Sequence, residues 1–368
     1  MNKAVKYRLY PTTEQKIMFV KTFGCCRKVY NLMLADKIAC YKKTKSFGKQ
    51  TPAMYKAEYP FLKEVDSLAL ANVQLNLQSA LKNCFDKSRK RQNGFPKFKS
   101  AKHSRKSYTT NNQKGTVAII DDRYIKLPKI GKIKAVIHRK PDADWTIKSA
   151  TISQDSDGKF YVSILFEYEK AITPAIISDN AVGIDYKSDG LYMDSNGYCP
   201  FGHKYYRQNQ EKLAQAQRKL KHMAIGSNNY KKQQCKIAKI QKHTSNQRLD
   251  FLHKESTKIT NLYDIVCVET LDMKAMSNKA FGNGKATMDN GYGMFLNMLE
   301  YKLANRGKYF VKVDKWYPSS QLCSCCGKQK KLTLADRIYK CDCGLTINRD
   351  HNAAINIKNE GLRILKSR

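Results

Sequence analysis

The chain has 368 residues, enough for two or three domains, and 42% of them are hydrophobic, so it can bury a sizeable core. Lys and Arg number 68 against 31 Asp and Glu, which leaves a formal net charge of +37 and predicts a polyanionic partner. A membrane partner is disfavoured because the sequence contains no basic amphipathic helix, apolar anchor, bilayer-spanning run or secretion signal. Nucleic acid is therefore the favoured partner, and we expect a cytoplasmic protein.

The first third of the chain predicts one strand followed by helices. Lys3–Tyr10 alternates like a strand, and Thr12–Gln15 has the residues of a capping box that begins a helix. Helical periodicity then continues to about residue 93, with a second helical stretch from Ser67 to Lys90. We expect residues 11–106 to form a helical domain.

A basic run follows these helices. Nine basic residues and no acidic residue lie between Lys87 and Lys106. Phe95 and Phe98 are interleaved with the charges, which suits phosphate contact combined with base stacking, although two core anchors are the alternative. The candidate nucleic-acid-binding residues of this run are Lys87, Arg89, Lys90, Arg91, Phe95, Lys97, Phe98 and Lys99.

The next segment predicts a β-rich domain. Five strands separated by turn residues are expected, and their ranges are 117–120, 124–127, 133–138, 147–154 and 160–168. Together with the strand at Lys3–Tyr10 they predict a barrel or twisted sheet over residues 1–10 and 107–172, which makes the helices an insertion.

A second domain begins near residue 180. Ala181–Asp185 predicts a strand with a carboxylate, and two turns after it predict a meander of three strands. Residues 204–262 are helical, hold 14 Lys or Arg and are split at Gly226–Asn229. This pair of helices is predicted to contact nucleic acid, with Arg218, Lys219, Lys231 and Lys232 as candidate residues.

Four cysteines predict a zinc ribbon over residues 317–346. Cys323 and Cys326 precede Gly327, and Cys341 and Cys343 precede Gly344, so two thiolate pairs each end in a turn-forming glycine. The alternative is unrelated buried or disulfide cysteines, and Cys325 offers a competing thiolate. The remaining cysteines are interpreted as small buried hydrophobic residues or spectators, and they are Cys25, Cys26, Cys40, Cys84, Cys199, Cys235, Cys267 and Cys325.

Three carboxylates are predicted to converge. Asp185 and Glu269 lie on predicted strands, and Asp350 lies at the start of the last helix. The order of strands and helices around them matches an RNase H-like fold, in which such acids meet at one end of the sheet. Carboxylates clustered in this way suit two Mg²⁺ ions for phosphodiester hydrolysis, whereas each acid alone is ordinarily a cap or a solvated charge.

Several motifs carry a family resemblance that covers nearly the whole chain. They are KYRLYPTTEQ, FGCCRKVYN, GFPKFKS, KLPKIGKIK, GIDYKSDG, YDIVCVETLDMKAMS, the cysteine ribbon and NRDHNAAINI. The chain resembles the TnpB family, OrfB-type RNA-guided nucleases encoded by insertion sequences and related to compact type V CRISPR effectors. It departs from the usual family pattern at Tyr186, Lys187, Thr270 and Asn348, and Lys187 would oppose metal loading if it points inward.

The resemblance implies a multidomain α+β architecture. It assigns residues 1–10 and 107–172 to a β-barrel wedge domain and residues 11–106 to an inserted helical recognition domain. Residues 180–316 and 347–368 would form a RuvC-like nuclease domain, interrupted by the zinc ribbon.

The resemblance also implies cofactors, partners and site residues. Asp185, Glu269 and Asp350 would be catalytic and hold two Mg²⁺ ions, and Cys323, Cys326, Cys341 and Cys343 would hold one structural Zn²⁺. Arg349 and Asn352 are weaker correspondences, and Arg349 is a further candidate for nucleic-acid contact. The implied partners are a guide RNA and a target DNA, in a monomer associated with a prokaryotic nucleoid.

The predicted function is RNA-guided cleavage of DNA beside a short adjacent motif. The basic helices and the basic run would line a channel for the guide–target duplex. Two alternatives remain at this point: an RNA-guided repressor without cleavage, and an RNA-independent DNA-binding accessory of transposition.

Overall fold

The computed structural model describes residues 1–86, 88, 94–278, 284–333 and 336–367. The chain forms two compact units, Met1–Lys170 and Ala171–Arg368. Within the described ranges, no helix combines the length and the apolar character needed to cross a membrane.

The first unit is built on a curled seven-stranded antiparallel sheet with strand order β2-β6-β7-β1-β5-β4-β3. The strands are β1 (Asn2–Tyr10), β2 (Ser107–Asn111), β3 (Ala118–Ile120), β4 (Tyr124–Leu127), β5 (Gly131–Val136), β6 (Thr146–Gln154) and β7 (Phe160–Glu167). β1 lies between β5 and β7, which confirms the prediction that it joins this sheet. Val5, Tyr7 and Leu9 are buried on one face of β1, because side chains alternate along a strand.

One strand of this sheet, β2, was not predicted. Its pattern is alternating, with Tyr108 and Thr110 buried, but the flanking basic run obscures it in the sequence. Thr110 is polar and is accommodated because its hydroxyl donates a hydrogen bond to the carboxylate of Asp66. A partner more than 40 residues away cannot be read from local alternation.

The helices of the first unit begin at side-chain caps. Thr12 forms the predicted capping box with Gln15 at the start of α1 (Thr13–Thr44). Two 3₁₀ turns follow, and Asp66 then caps α2 (Ser67–Phe85). The helix ends at Phe85, before the predicted Lys90, and residues 87 and 89–93 lie outside the described residues.

The second unit contains a four-stranded sheet with strand order β11-β10-β8-β9. The strands of this unit are β8 (Ala181–Tyr186), β9 (Tyr192–Asp194), β10 (Ile265–Glu269), β11 (Tyr309–Val313) and the separate hairpin β12 (Ile338–Lys340) and β13 (Thr346–Asn348). Its helices are α3 (Tyr205–Lys221), α4 (Asn228–Leu262), α5 (Met273–Met276), α6 (Gly284–Asn290), α7 (Tyr292–Ala304) and α8 (Arg349–Lys366). β8, β10 and β11 are parallel, and β9 is antiparallel to β8. The two inner strands, β8 and β10, are buried on both faces over most of their length.

The predicted third strand of the meander is absent from the described residues 195–204. The chain does turn after β9, where the Asp194 carboxylate accepts hydrogen bonds from the amides of Asn196 and Tyr198. Pro200 then follows, and residues 199–203 take an irregular course instead of pairing with β9.

α8 packs directly on the sheet through two glycines. A Cβ added at Gly183 of β8 would lie 2.0 Å from the Ala354 carbonyl oxygen, and one added at Gly361 of α8 would lie 2.3 Å from Cys267 Sγ. The helix therefore approaches β8 and β10 more closely than larger residues would permit, and this contact fixes where its first turn lies.

Candidate active site and cysteine cluster

Two of the predicted acids lie at the same edge of the second sheet. Ile184 of β8 pairs with Val268 of β10 in the parallel ladder, so the next residues, Asp185 and Glu269, come side by side. Glu269 is the last residue of β10, so no further strand residue follows it. The third acid, Asp350, lies in the first turn of α8, where a carboxylate is favoured by the helix dipole.

The electrostatics of these acids indicate that they share one site. Burial raises the pKa of Asp185 well above its ordinary value, and the charges of Glu269 and Asp350 raise it further. Burial likewise raises the pKa of Glu269 to about 7. Both carboxyl groups are therefore costly to ionise unless a cation neutralises them.

The surroundings of the acids suit a hydrated divalent cation. The buried hydroxyl of Tyr292 has no hydrogen-bond partner among the described residues, and burial followed by the charges of Asp185 and Glu269 raises the pKa of this phenol. Carboxylate oxygens are ligands that Mg²⁺ prefers, and an ordered water on such an ion could satisfy the phenol. Two ions about 4 Å apart need several hard oxygen ligands, and three carboxylates can supply them.

Two basic side chains face Asp350. Lys187 does point inward, since its Nζ lies 3.9 Å from Asp350 Oδ2. Arg349 Nη2 lies 3.6 Å from Asp350 Oδ1, and its Nη1 donates to the Thr333 carbonyl oxygen at 3.2 Å. Arg349 therefore contacts Asp350 and Thr333 instead of projecting from the surface. The positive charge of Lys187 would compete with a metal ion for Asp350.

The first turns of α8 are fixed by side-chain hydrogen bonds. Asn348 caps the helix by accepting from the amides of Asp350 and His351, so this departure from the family pattern keeps the cap. His351 Nε2 lies 3.2 Å from the Ser195 carbonyl oxygen in the turn after β9. These contacts hold the Asp350 backbone at the sheet edge.

α8 also carries the start of the cysteine ribbon. Asn352 Nδ2 donates to the Leu322 carbonyl oxygen at 2.6 Å, and its Oδ1 accepts from the Ser324 amide at 3.0 Å. Asn356 Nδ2 donates to the Ser319 and Leu322 carbonyl oxygens, both at 2.8 Å. Both asparagines are buried and lie four residues apart, so one face of α8 binds the chain that enters the ribbon. The sequence reasoning missed Asn356, although this spacing was a usable signal.

The four predicted cysteines meet at one point. Cys323 Sγ lies 3.6 Å from Cys343 Sγ, Cys326 Sγ lies 3.6 Å from Cys341 Sγ, and all four sulfurs lie within 4.8 Å of one another. Gly327 and Gly344 turn the chain with φ of 75° and 93°, conformations that suit glycine. A tetrahedral Zn²⁺ with Zn–S bonds of 2.3 Å needs sulfurs about 3.8 Å apart, so this cluster fits zinc. Cys325 is exposed and lies outside the cluster.

The predicted nucleic-acid contacts of the first unit are only partly described. Phe95 and Phe98 are 41% and 58% exposed, so they are not core anchors. Lys97 and Lys99 are both exposed, and Lys99 Nζ also lies 3.9 Å from the centroid of the Tyr30 ring. Lys87, Arg89, Lys90 and Arg91 lie outside the described residues.

The basic hairpin of α3 and α4 presents its charges outward. Arg218, Lys219, Lys231 and Lys232 are all exposed. The two helices pack through a small apolar cluster, Leu213, Ala216 and Ile240, and Gln233 Nε2 donates to the Ala216 carbonyl oxygen at 2.8 Å.

Three family models match the sequence. Residues 1–46 match an OrfB_IS605 model described as "Helix-turn-helix domain", and residues 163–280 match an OrfB_IS605 model described as "Probable transposase". Residues 292–357 match a model described as "Cas12f1-like, TNB domain". In this structure residues 1–46 contain β1 and the single helix α1.

Two curated relatives match along almost the full chain. A protein of Streptomyces pristinaespiralis named "Putative RNA-guided DNA endonuclease" is 35% identical over 98% of this chain and 90% of its own length. The protein of Escherichia coli K12 named "Putative RNA-guided DNA endonuclease InsQ" is 30% identical over 99% of this chain and 93% of its own length.

A solved structure shares the fold. A chain from the cryo-EM structure of a Cas12f1–sgRNA–target DNA complex matches with a TM-score of 0.63 over 98% of this chain and 99% of that chain. The two sequences are 14% identical, so the match concerns the fold alone.

Proposed function

This chain belongs to the TnpB family encoded by insertion sequences, and we propose that it is an RNA-guided DNA endonuclease that cuts target DNA beside a short adjacent motif. The observation that carries the proposal is the grouping of Asp185, Glu269 and Asp350 at one edge of the second sheet. A repressor or a DNA-binding accessory without cleavage has no need of three grouped carboxylates, of which Asp185 and Glu269 are costly to ionise.

The three acids would hold two Mg²⁺ ions, which when bound activate water and stabilise the leaving 3′ oxygen. Asp185 and Glu269 present their carboxylates from adjacent positions of a rigid parallel ladder. Asp350 is presented from a helix start that Asn348 caps and two glycine contacts seat on the sheet. Because burial raises the pKa of Glu269 to about 7, this carboxyl would release a proton as a cation binds.

The four-cysteine cluster would hold one structural Zn²⁺. Its proposed task is to position Asp350, because Asn352 and Asn356 of the same helix bind the chain that enters the cluster. In this proposal the ribbon is an insertion in a RuvC-like domain formed by residues 180–316 and 347–368.

Guide RNA and target DNA would bind the basic surfaces. The proposal assigns phosphate contacts to Lys97, to the other basic residues of the run and to the exposed charges of the α3–α4 hairpin, and it assigns base stacking to Phe98. It assigns residues 1–10 and 107–172 to a wedge domain and residues 11–106 to a recognition domain. Sequence would be read by base pairing with the guide.

The test compares wild type with Asp185→Asn, each purified with its bound RNA. We expect wild type to cut matched DNA in Mg²⁺, and the variant to bind the same DNA with unchanged affinity while its cleavage rate falls by at least about 1,000-fold. Binding without cleavage by both proteins would favour the repressor alternative. DNA binding with full affinity by a preparation free of RNA would favour the accessory alternative.

A further inference from the structure

An open groove of about 750 Å³ adjoins the acidic site in the second unit. Its floor is the turn after β8 and the irregular chain before α3, which lie in direct contact. A Cβ added at Gly202 would lie 2.1 Å from the Asp189 carbonyl oxygen, and one at Gly190 would lie 2.7 Å from Cys199 Sγ. The two glycines therefore let these segments pack closely against each other, and together they form one continuous side of the groove.

The walls of the groove are basic. Lys187, Lys204 and Arg207 line it against one acid, Asp189. Lys204 and Arg207 are exposed, and within the described part of the chain neither has an ion-pair partner for its side chain. Unpaired cations around a groove suit phosphate groups, because a bound polyanion replaces their counterions.

One aromatic ring stands over the groove. Phe201 lines it and is 79% exposed, yet its ring is supported edge-on by His203, with centroids 5.4 Å apart. His203 is itself stacked on Tyr205 and meets Phe251 edge-on, at 5.2 and 5.1 Å. A ring held in place with a free face is a stacking platform for a base.

The groove leads to the acids. Lys187 lines it and also lies 3.9 Å from Asp350 Oδ2, so one side chain borders both places. We propose that this groove binds the single-stranded DNA segment next to the scissile phosphate, with Phe201 stacking on a base and Lys204 and Arg207 contacting phosphates. This inference rests on the proposed function, because it takes the acids to be the cleavage site.

The direct test is fluorescence of Phe201→Trp in the full chain with its bound RNA, in EDTA so that no cleavage occurs. An oligothymidylate of about ten nucleotides should quench the new emission, because stacking on a base quenches indole. Adding Lys204→Ala and Arg207→Ala should weaken the apparent affinity by at least about fivefold. Adding Lys132→Ala and Lys134→Ala, which removes the same charge from exposed positions of β5, should leave it unchanged.

Phe61→Trp places the same fluorophore on another exposed ring and should show no quenching. Absence of quenching at position 201 would overturn the proposal, as would quenching that a roughly tenfold excess of oligouridylate abolishes, since the groove would then hold RNA. The readout needs no catalysis, so failure of the groove is distinct from failure of wild type to cut DNA.

Discussion

At the scale of one residue, the raised pKa of Glu269 would make the proposed metal binding depend on pH. Its pKa is about 7 in the folded chain against an ordinary value of 4.5. Between these pH values the folded chain binds more protons than the unfolded chain, so the free energy of unfolding falls as pH rises. Above pH 7 the loss is complete, unless a cation binds and compensates the carboxylate charge.

We therefore expect Glu269→Gln to raise the melting temperature in EDTA more at pH 8 than at pH 5. Differential scanning fluorimetry of both proteins at both pH values measures this. Mg²⁺ should stabilise wild type at pH 8 and have a smaller effect on the variant. An equal difference at the two pH values would show that Glu269 ionises normally.

Lys187 is predicted to weaken metal binding, because its charge lies 3.9 Å from an oxygen that a metal would use. Two unit charges at such a distance interact by about 1 kcal/mol in a water-like dielectric. Lys187→Met should thus tighten Mn²⁺ binding by about fivefold in a calorimetric titration. Lys204→Met removes a nearby charge that has no contact with Asp350 and serves as the control. Unchanged or weaker binding by Lys187→Met would contradict the prediction.

At the scale of elements, the packing of α8 on the sheet determines where Asp350 lies. Gly183→Ala would place a Cβ 2.0 Å from the Ala354 carbonyl oxygen, a contact that only backbone movement can relieve. We expect a loss of stability of about 2 kcal/mol or more and a large loss of cleavage. Gly293→Ala, at a helical position where nothing lies within 4 Å of the added Cβ, is the matched control and should be neutral or stabilising. Equal behaviour of the two variants in thermal and chemical unfolding would show that α8 is not held by this contact.

The cysteine cluster allows a second paired test. We expect elemental analysis to find one zinc per wild-type chain and none in Cys341→Ser, because three thiolates and a hydroxyl bind zinc more weakly than four thiolates. Cys325→Ser should keep one zinc per chain, since this thiol lies outside the cluster. Cleavage should fall with zinc loss, because Asn352 links the ribbon to the helix of Asp350. Loss of zinc in both variants would mean that Cys325 exchanges into the site.

These elements show which parts of the fold could be predicted from sequence. β1, the capping box of α1 and the split between α3 and α4 were predicted correctly, because alternation, caps and glycine-rich breaks are local signals. β2 was missed, and the third meander strand was wrong, because Thr110 depends on a distant partner and the Asp194 turn ends in irregular chain. The roles of Lys187, Tyr292 and Asn356 could not be predicted from sequence, because they depend on how the sheet edge, α7 and α8 pack together.

At the scale of the whole molecule, 68 Lys and Arg exceed 31 Asp and Glu by 37, so at least 37 basic side chains cannot be paired one to one with a carboxylate. Exposed basic side chains are of two kinds, those paired with carboxylates and those that face solvent. Lys140, Lys254, Lys312 and Lys328 are paired with carboxylates, whereas the exposed candidate residues of the α3–α4 hairpin face outward. Only the second kind is available to replace counterions on a nucleic acid, so the two kinds should contribute differently to binding.

This distinction predicts the salt dependence of affinity. The logarithm of the affinity for the bound RNA should fall linearly with the logarithm of salt concentration, by about 0.7 to 0.9 per phosphate neutralised. Replacing Arg218, Lys219, Lys231 and Lys232 by Ala should reduce the magnitude of the slope by up to about 3, because four potential phosphate contacts are removed. Replacing the four paired lysines should change it much less, since their charges are already compensated. Filter-binding isotherms at several salt concentrations measure both slopes, and equal slopes for the two variants would mean that the hairpin does not carry the RNA.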